Sequence, residues 1–192
     1  MGTLSLDRAF EAREGLETLV EQGKIRTYGW STDRADAVRA FSDGPHCWVV
    51  EQELSVLRPA DELLAVCDAL DLGSIVRAPL GMGLLTGKFG PASTFAPDDV
   101  RHEVAWHPGF RDGRPTPEWL DQLASIREVL GSDGRTLAQG ALAWIWARSP
   151  RTVPIPGVKT VAQVEDNCGA LPLGPLRPDQ LAEIDAILGR TG

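Results

Sequence analysis

The spacing of apolar residues along the chain switches repeatedly between a helical period and short continuous apolar runs. Apolar residues three and four positions apart predict helices at 8–22, 33–42, 59–70, 116–130, 136–145, 160–169 and 178–189. The continuous runs predict buried strands at 25–30, 48–52, 74–78 and 152–155. Strands that alternate with helices and are apolar on both faces are typical of a parallel sheet covered by helices.

This order of elements predicts an α/β fold with four parallel strands in a single domain over residues 1–192. A complete TIM-type β/α barrel has eight such strands. No GxGxxG follows a strand, so a Rossmann fold is not favoured. Residues 79–117 interrupt the alternation with many glycines and prolines, and we predict a long irregular loop over 89–117. His102 and His107 lie in it without further ligands at metal-binding spacing, so we predict no metal site.

Composition and charge exclude several classes of partner. The 192 residues are 43% hydrophobic, which is enough for a core. Nineteen Lys and Arg against 27 Asp and Glu give a net charge of -8, so we expect neither a nucleic-acid nor a membrane partner. No signal peptide is visible at the N-terminus. Cys47, Cys67 and Cys168 show neither CxxC spacing nor a disulfide framework, which indicates a reducing, cytoplasmic location.

The strongest candidate for a ligand site is the segment 155–167, where a predicted strand ends and a helix begins. Thr160 and Gln163 form a predicted capping box at the helix start. Free amides there favour an anion, Gly157 lets backbone approach a ligand, and Lys159 adds a full charge. Polar side chains suited to a purine or ribose lie one turn apart on this helix: Gln163, Asp166 and Asn167. An ordinary junction with a solvated polar helix face explains the same spacing equally well.

Two other strand-to-helix junctions are weaker candidates. Residues 78–88 contain three glycines and Lys88 after a strand, and such a loop can wrap its amides around a pyrophosphate. The segment does not match the P-loop pattern, and a flexible turn is the alternative. At residues 29–33, Ser31 or Thr32 most simply caps the following helix, with ligand binding as the alternative.

Taken together, these segments resemble the C-terminal half of an aldo-keto reductase. The matching stretches are LETLVEQGKIRTYGWST (16–32), VVEQELSVL (49–57), APLGMGLLTGKF (78–89), TLAQGALAWIWARSPRTVPIPGVKT (136–160) and QVEDN (163–167). The resemblance runs from about residue 9 to 188, and the motifs are highly specific as a set. It implies an incomplete, half β/α barrel that supplies the last four strands and most of the cradle for NADPH (NADP+).

The resemblance also implies which residues hold the cofactor. From the nicotinamide to the adenine end they are Ser31 and Thr32 near the nicotinamide amide; Ala78, Pro79, Leu80, Gly81, Met82 and Lys88 along the pyrophosphate; Gly157, Lys159 and Thr160 at the 2′-phosphate; and Gln163, Asp166 and Asn167 at the adenine.

Four positions depart from the family pattern, and all of them lie at the nicotinamide end. Glu51 stands where the family has Gln, and Arg77 stands where it often has a stacking aromatic ring. Ala78 replaces Ser, and Thr32 replaces Asn. These changes leave the implied adenosine and phosphate contacts in place. They alter the surroundings of the nicotinamide ring, which carries the hydride.

The family's catalytic Asp, Tyr, Lys and His lie on the first four strands of its barrel, outside the matched segments. Tyr28, the single tyrosine, lies in a strand that does not contain the catalytic Tyr, so we assign no catalytic residue.

Two hypotheses follow from the resemblance. In the first, the chain is the cofactor-binding half of an NADPH-dependent reductase of an aldehyde or ketone and acts on a small carbonyl substrate once the barrel is completed. In the second, it is a non-catalytic or vestigial NADPH-binding half barrel that pairs with another chain. A two-fold pair of copies would close an eight-stranded barrel and cover the exposed strand edges and the inner faces of Val49, Ile75 and Val153.

Overall fold

A computed structural model describes residues 6–102 and 107–190, which fall into two compact units. The first unit contains the residues up to Glu53, together with Ala60–Arg77 and Ser149–Val153. The second contains Leu54–Pro59, Ala78–Arg148 and the chain from Pro154 onward.

The order of helices and strands follows the predicted alternation closely. The strands are β1 (Tyr28–Ser31), β2 (Cys47–Glu53), β3 (Gly73–Arg77), β4 (Phe110–Arg111), β5 (Arg114–Pro115) and β6 (Thr152–Pro154). The α-helices are α1 (Leu6–Glu21), α2 (Ala35–Phe41), α3 (Asp61–Ala69), α4 (Pro117–Leu130), α5 (Leu137–Arg148), α6 (Val161–Cys168) and α7 (Pro178–Ile187).

A four-stranded sheet in the order β1-β2-β3-β6 organises the first unit. β2 runs parallel to both β1 and β3, which confirms the predicted α/β fold with a parallel sheet. β1 and β6 are the edge strands. Pro154 lies in an edge strand, where the missing backbone N–H of proline is tolerated.

The helices cover one face of this sheet. Alternate residues of β2 point to opposite faces, so Val50 packs with Val38 of α2 and with Leu63 and Val66 of α3. On the other face Val49 and Ile75 remain half-buried, and Val153 on the edge strand β6 is 57% exposed.

The predicted first strand begins three residues too early. Ile25 lies before β1 and packs against a cluster formed by Ala9, Phe41 and Cys47 with Tyr28. Its apolar character therefore serves the contact between α1 and the start of the sheet rather than the strand itself.

Helices α4, α5 and α7 pack together in the second unit. α5 is apolar around most of its circumference, which is typical of a helix buried on all sides, and its Trp144 and Ile145 are fully buried. Gly140 of α5 lies so close to α4 that a Cβ atom there would overlap the carbonyl oxygen of Leu130.

The predicted irregular loop contains more order than the sequence indicated. It includes the two-residue antiparallel strands β4 and β5, and a short 3-10 segment, Gly81–Thr86, precedes it. The turn between them is Asp112-Gly113, with φ values of 50° and 66°. An Asp-Gly pair is a strong hairpin signal, so this hairpin was predictable from the sequence and was missed.

None of the helices in the described ranges is long and apolar enough to cross a membrane.

Candidate functional site

A pocket of about 770 Å³ lies in the second unit, within the usual size range of small-molecule sites. Three segments line it, at 78–88, 98–101 and 156–167, with Ala138 of α5 beside them. The lining residues are Ala78, Pro79, Leu80, Met82, Gly83, Thr86, Lys88, Asp98, Asp99, Val100, Arg101, Ala138, Pro156, Gly157, Val158, Lys159, Gln163, Asp166 and Asn167.

The segment 78–88 forms the first wall of the pocket, and its backbone has an unusual conformation. Ala78, Gly81, Met82 and Gly83 all have positive φ, at 51°, 54°, 54° and 95°. Left-handed backbone is strained for Ala and Met, and such strain concentrates at ligand-binding and catalytic sites. Lys88 lies at the end of this segment, and its Nζ is 4.9 Å from the centroid of the Phe89 ring.

The segment 156–167 forms the third wall and contains the start of α6. The predicted helix cap at Thr160 is confirmed there. Thr160 Oγ1 accepts a hydrogen bond from the Gln163 backbone N–H at 3.3 Å. The second half of the predicted capping box is wrong by one residue, because Gln163 Oε1 accepts from the N–H of Lys159 at 2.7 Å. The backbone of Lys159 is thereby fixed beside the positive end of the helix.

Asp166 and Asn167 lie one turn further along this helix, against the start of α5. Asp166 Oδ1 accepts from the Thr136 hydroxyl at 2.9 Å, and its carbonyl accepts from Gln139 Nε2 at 3.0 Å. Asn167 Nδ2 is shielded from solvent and donates to no acceptor within the described ranges. A shielded donor without a partner is costly, so this atom fits an acceptor of a bound molecule.

The second wall was not predicted from the sequence. Asp98 and Asp99 are not among the predicted site residues, but both line the pocket together with Arg101. Arg101 donates from Nε to Asp99 Oδ1 at 2.8 Å and from Nη2 to Asp99 Oδ2 at 2.5 Å. The hydrogen bonds from Arg101 hold the pKa of Asp99 far below its usual range.

The charges on the pocket wall are of both signs. Three cations line it, Lys88, Arg101 and Lys159, with three carboxylates, Asp98, Asp99 and Asp166. The formal charges on the wall therefore balance, in a chain whose net charge is -8.

Most of the residues implied to hold a cofactor do line this pocket. These are Ala78, Pro79, Leu80, Met82, Lys88, Gly157, Lys159, Gln163, Asp166 and Asn167. Gly81 is buried beside them, and Thr160 acts as the helix cap.

Ser31 and Thr32 lie in the first unit, at the end of β1, and are not among the lining residues. The prediction that one of them caps α2 is wrong, because the N-cap position is Arg34 and makes no side-chain cap hydrogen bond. Thr32 Oγ1 instead accepts from the Arg34 backbone N–H at 3.2 Å, which stabilises the turn before the helix.

In the same unit, Arg77 at the end of β3 is held between two carboxylates. Its Nη1 lies 2.9 Å from Glu53 Oε2, and its Nη2 pairs with Asp33. Asp33 Oδ1 also accepts from the Glu53 backbone N–H at 2.7 Å. The strand ends are thus tied by an ion network at the position where the resemblance implied a flat aromatic ring.

The single tyrosine has a clear role in the fold. Tyr28, at the start of β1, donates its hydroxyl proton to Glu17 Oε1 at 2.5 Å. Burial, and then the Glu17 carboxylate, raise the pKa of Tyr28 above its usual range, so the phenol stays protonated. Within the part of the chain that the structure describes, no group of three or more His, Cys, Asp or Glu could hold a metal ion.

The sequence model of the Aldo/keto reductase family matches residues 6–189, nearly the whole chain. This chain belongs to the aldo-keto reductase family. Among curated proteins, the aldo-keto reductase chain is 34% identical over 157 residues to aldo-keto reductase str7 of Strobilurus tenacellus. It is 33% identical over 166 residues to a chloroplastic pyridoxal reductase of Arabidopsis thaliana. These alignments cover 79% and 82% of this chain but only 46% and 42% of the two relatives.

Solved structures agree on the fold of the aldo-keto reductase chain. It superposes on the glycerol dehydrogenase of Gluconobacter oxydans with a TM-score of 0.78 at 22% identity, covering 95% of this chain and 54% of that one. An aldo/keto reductase of Klebsiella pneumoniae, solved in complex with NADP and acetate, gives a TM-score of 0.63 at 24% identity, covering 100% of this chain and 56% of that one. The chain therefore spans about half the length of its relatives.

Proposed function

We propose that this aldo-keto reductase chain binds NADPH through the pocket of its second unit, at the adenosine and phosphate end of the cofactor. The observation that supports this most is the convergence of Lys88, Arg101 and Lys159 with the shielded amide donor of Asn167 on one pocket. Phosphates need the cations, and an adenine nitrogen is an acceptor for the amide. NADP-bound structures of the Klebsiella pneumoniae relative support the choice of cofactor.

Each wall of the pocket has a part in this proposal. The positive-φ segment around Gly81 and Met82 lies along the pyrophosphate, with Lys88 adding charge. Lys159 and the start of α6 bind the 2′-phosphate, and Thr160 keeps that helix start in place. Asp166 and Asn167 contact the adenosine. When bound, NADPH supplies a hydride.

The reaction proposed for the completed protein is reduction of an aldehyde or ketone. This chain supplies no proton donor for it in our proposal, and a complementary set of strands must do so. We further propose that the four-stranded sheet is half of a β/α barrel and that a second copy of the chain completes it. The unpaired edge strands β1 and β6 support this arrangement. We also propose a reducing, cytoplasmic location, which the three free cysteines support.

A specific observation favours a second candidate function, a non-catalytic NADPH-binding protein. The Arg77 ion network with Glu53 and Asp33 presents charge where a stacking ring would hold the nicotinamide. Glu51 likewise cannot donate to the nicotinamide carbonyl as an amide side chain can. In this alternative the chain binds the adenosine and phosphate end of NADPH and reduces no carbonyl.

Lys159→Ala tests the proposed cofactor site. A charge-assisted hydrogen bond to the 2′-phosphate contributes ~1.5–3 kcal/mol, so NADPH should bind roughly ten- to a hundred-fold more weakly. NADH, which has no 2′-phosphate, should bind almost as before. The measurement is a fluorescence titration of both cofactors against folded protein, with the exposed Lys24→Ala of the first unit as the matched control. Equal losses of affinity for NADPH and NADH would contradict the assignment of Lys159 to the 2′-phosphate.

A further inference from the structure

The 98–101 loop brings an anion, as well as a cation, to the wall of the pocket. Asp99 and Arg101 face each other through two side-chain hydrogen bonds, of 2.8 Å and 2.5 Å. Asp99 Oδ1 also accepts from the Arg101 backbone N–H at 2.9 Å. Both side chains are mostly buried, at 26% and 18% exposed, and both line the pocket. The Arg101 fork thus already holds a carboxylate.

Aromatic rings hold the Arg101 guanidinium independently of Asp99. Its Cζ lies 4.2 Å from the centroid of the Phe95 ring and 5.1 Å from that of Phe89. The two rings contact each other edge to face at 5.0 Å, and Phe95 also contacts Phe110 of β4 at 5.4 Å. A stacked guanidinium presents its hydrogen-bonding edge outward in a fixed orientation. Removing the carboxylate should therefore leave Arg101 in place.

A carboxylate in an arginine fork uses the same geometry as a phosphate does. Both accept two parallel N–H hydrogen bonds from the guanidinium, so only one of them can fill the fork at a time. Lys159 adds its charge to the surroundings of Asp99, and with Arg101 it keeps the pKa of this carboxyl very low. Asp99 is therefore charged at every pH used in a binding experiment.

We propose that Asp99 is an internal counter-ion that fills the Arg101 fork until a phosphate of the bound nucleotide replaces it. The exchange keeps Arg101 paired with an anion in both the free and the bound protein. Because the Asp99–Arg101 pair must break before a phosphate can bind, the exchange lowers the affinity of the pocket for phosphates. It also favours doubly charged phosphates over singly charged anions, because a singly charged anion has no advantage in charge over the carboxylate, which Arg101 holds by three hydrogen bonds. This inference rests on the proposed nucleotide site.

Asp99→Asn tests the exchange, because Asn keeps the shape of the side chain and removes its charge. We expect this variant of the full chain to bind both NADP+ and inorganic pyrophosphate about three- to tenfold more tightly in calorimetric titrations. Asp98→Asn is the matched control, since Asp98 lines the same wall and forms no ion pair with Arg101 in the described ranges. It removes the same charge from the same wall without releasing the fork, so it should tighten the binding of either probe less than Asp99→Asn does.

Arg101→Leu distinguishes fork competition from a general effect of charge. In that background Asp99→Asn should tighten binding no more than Asp98→Asn does, because there is no fork to release. If folded Asp99→Asn binds both probes no more tightly than the wild type, and the wild type binds NADP+, the counter-ion role of Asp99 is wrong. The proposal of the nucleotide site is then unaffected. Tighter pyrophosphate binding without any NADP+ binding keeps the counter-ion and overturns the nucleotide site. Absence of binding to both probes in all proteins overturns both.

Discussion

Glu17 is the residue on which three hydrogen bonds of the first unit converge. Its carboxylate accepts from the Tyr28 hydroxyl at 2.5 Å, from the His46 backbone N–H at 3.2 Å and interacts with His46 Nδ1 at 2.7 Å. Burial by itself would raise the pKa of Glu17, but the hydrogen bonds from Tyr28 and His46 outweigh it and leave the pKa below its usual value. The charged carboxylate therefore ties α1 to the starts of β1 and β2.

Glu17→Gln should lower the free energy of unfolding at neutral pH by about 1–2 kcal/mol, because the charge-assisted bonds are lost. A depressed pKa contributes stability above the unfolded value, near 4.3 for Glu, and this contribution disappears as the pH falls through the folded pKa. The difference between variant and wild type should therefore shrink in acid, which urea unfolding at several pH values measures. Glu14→Gln, on an exposed position of the same helix, is the control. A difference that is independent of pH would contradict this role of Glu17.

At the scale of elements, the second unit depends on the close approach of α5 to the end of α4. Gly140 permits that approach, because a Cβ atom there would meet the backbone of Leu130. Backbone cannot move aside as a flexible side chain can, so the two helices must separate to accept a methyl group.

Gly140→Ala should destabilise the protein by about 1–3 kcal/mol despite the better helix propensity of alanine. Gly15→Ala is the matched control, since Gly15 lies on an exposed face of α1 with nothing within 4 Å of its Cβ position. That change should stabilise the protein by roughly 0.5–1 kcal/mol. Thermal melts of the two variants should thus shift in opposite directions, and parallel shifts would refute the close contact.

At the scale of the whole molecule, the sheet has two open edges. β1 and β6 lack a neighbour on their outer sides in the sheet that the structure describes, and Val153 on β6 is 57% exposed. Unpaired edges and exposed apolar faces favour association. In the proposed pairing, a second copy adds four more strands, which gives the eight of a barrel.

Light scattering should therefore show a species larger than the 20.7 kDa monomer, and Val153→Lys should shift it towards the monomer. A lysine on an edge strand opposes pairing by its charge. Leu171→Lys is the control, because Leu171 is 65% exposed and lies in no strand. A monodisperse monomer with a cooperative melt would rule out the proposed pairing.

The sequence by itself determined the kind and order of most elements, because periodicity and caps are local properties. Thr160 begins α6 as predicted, through a hydrogen bond from Gln163, and Thr136 accepts the equivalent hydrogen bond from Gln139 at the start of α5. The resemblance located most of the pocket lining for the same reason, since the motifs at 78–88 and 155–167 are contiguous in the chain. The prediction of one domain over residues 1–192 stays a prediction.

Only the tertiary structure decided which charges meet. Arg77 reaches Asp33, 44 positions earlier in the chain, and Glu17 reaches His46, 29 positions later. The Asp99 and Arg101 pair is close in sequence, but its place on the pocket wall depends on aromatic contacts with Phe89 and Phe95. Such partners leave no periodic signal, because an ion pair needs only two side chains brought together by the fold, whereas a helix or strand repeats its pattern along the chain.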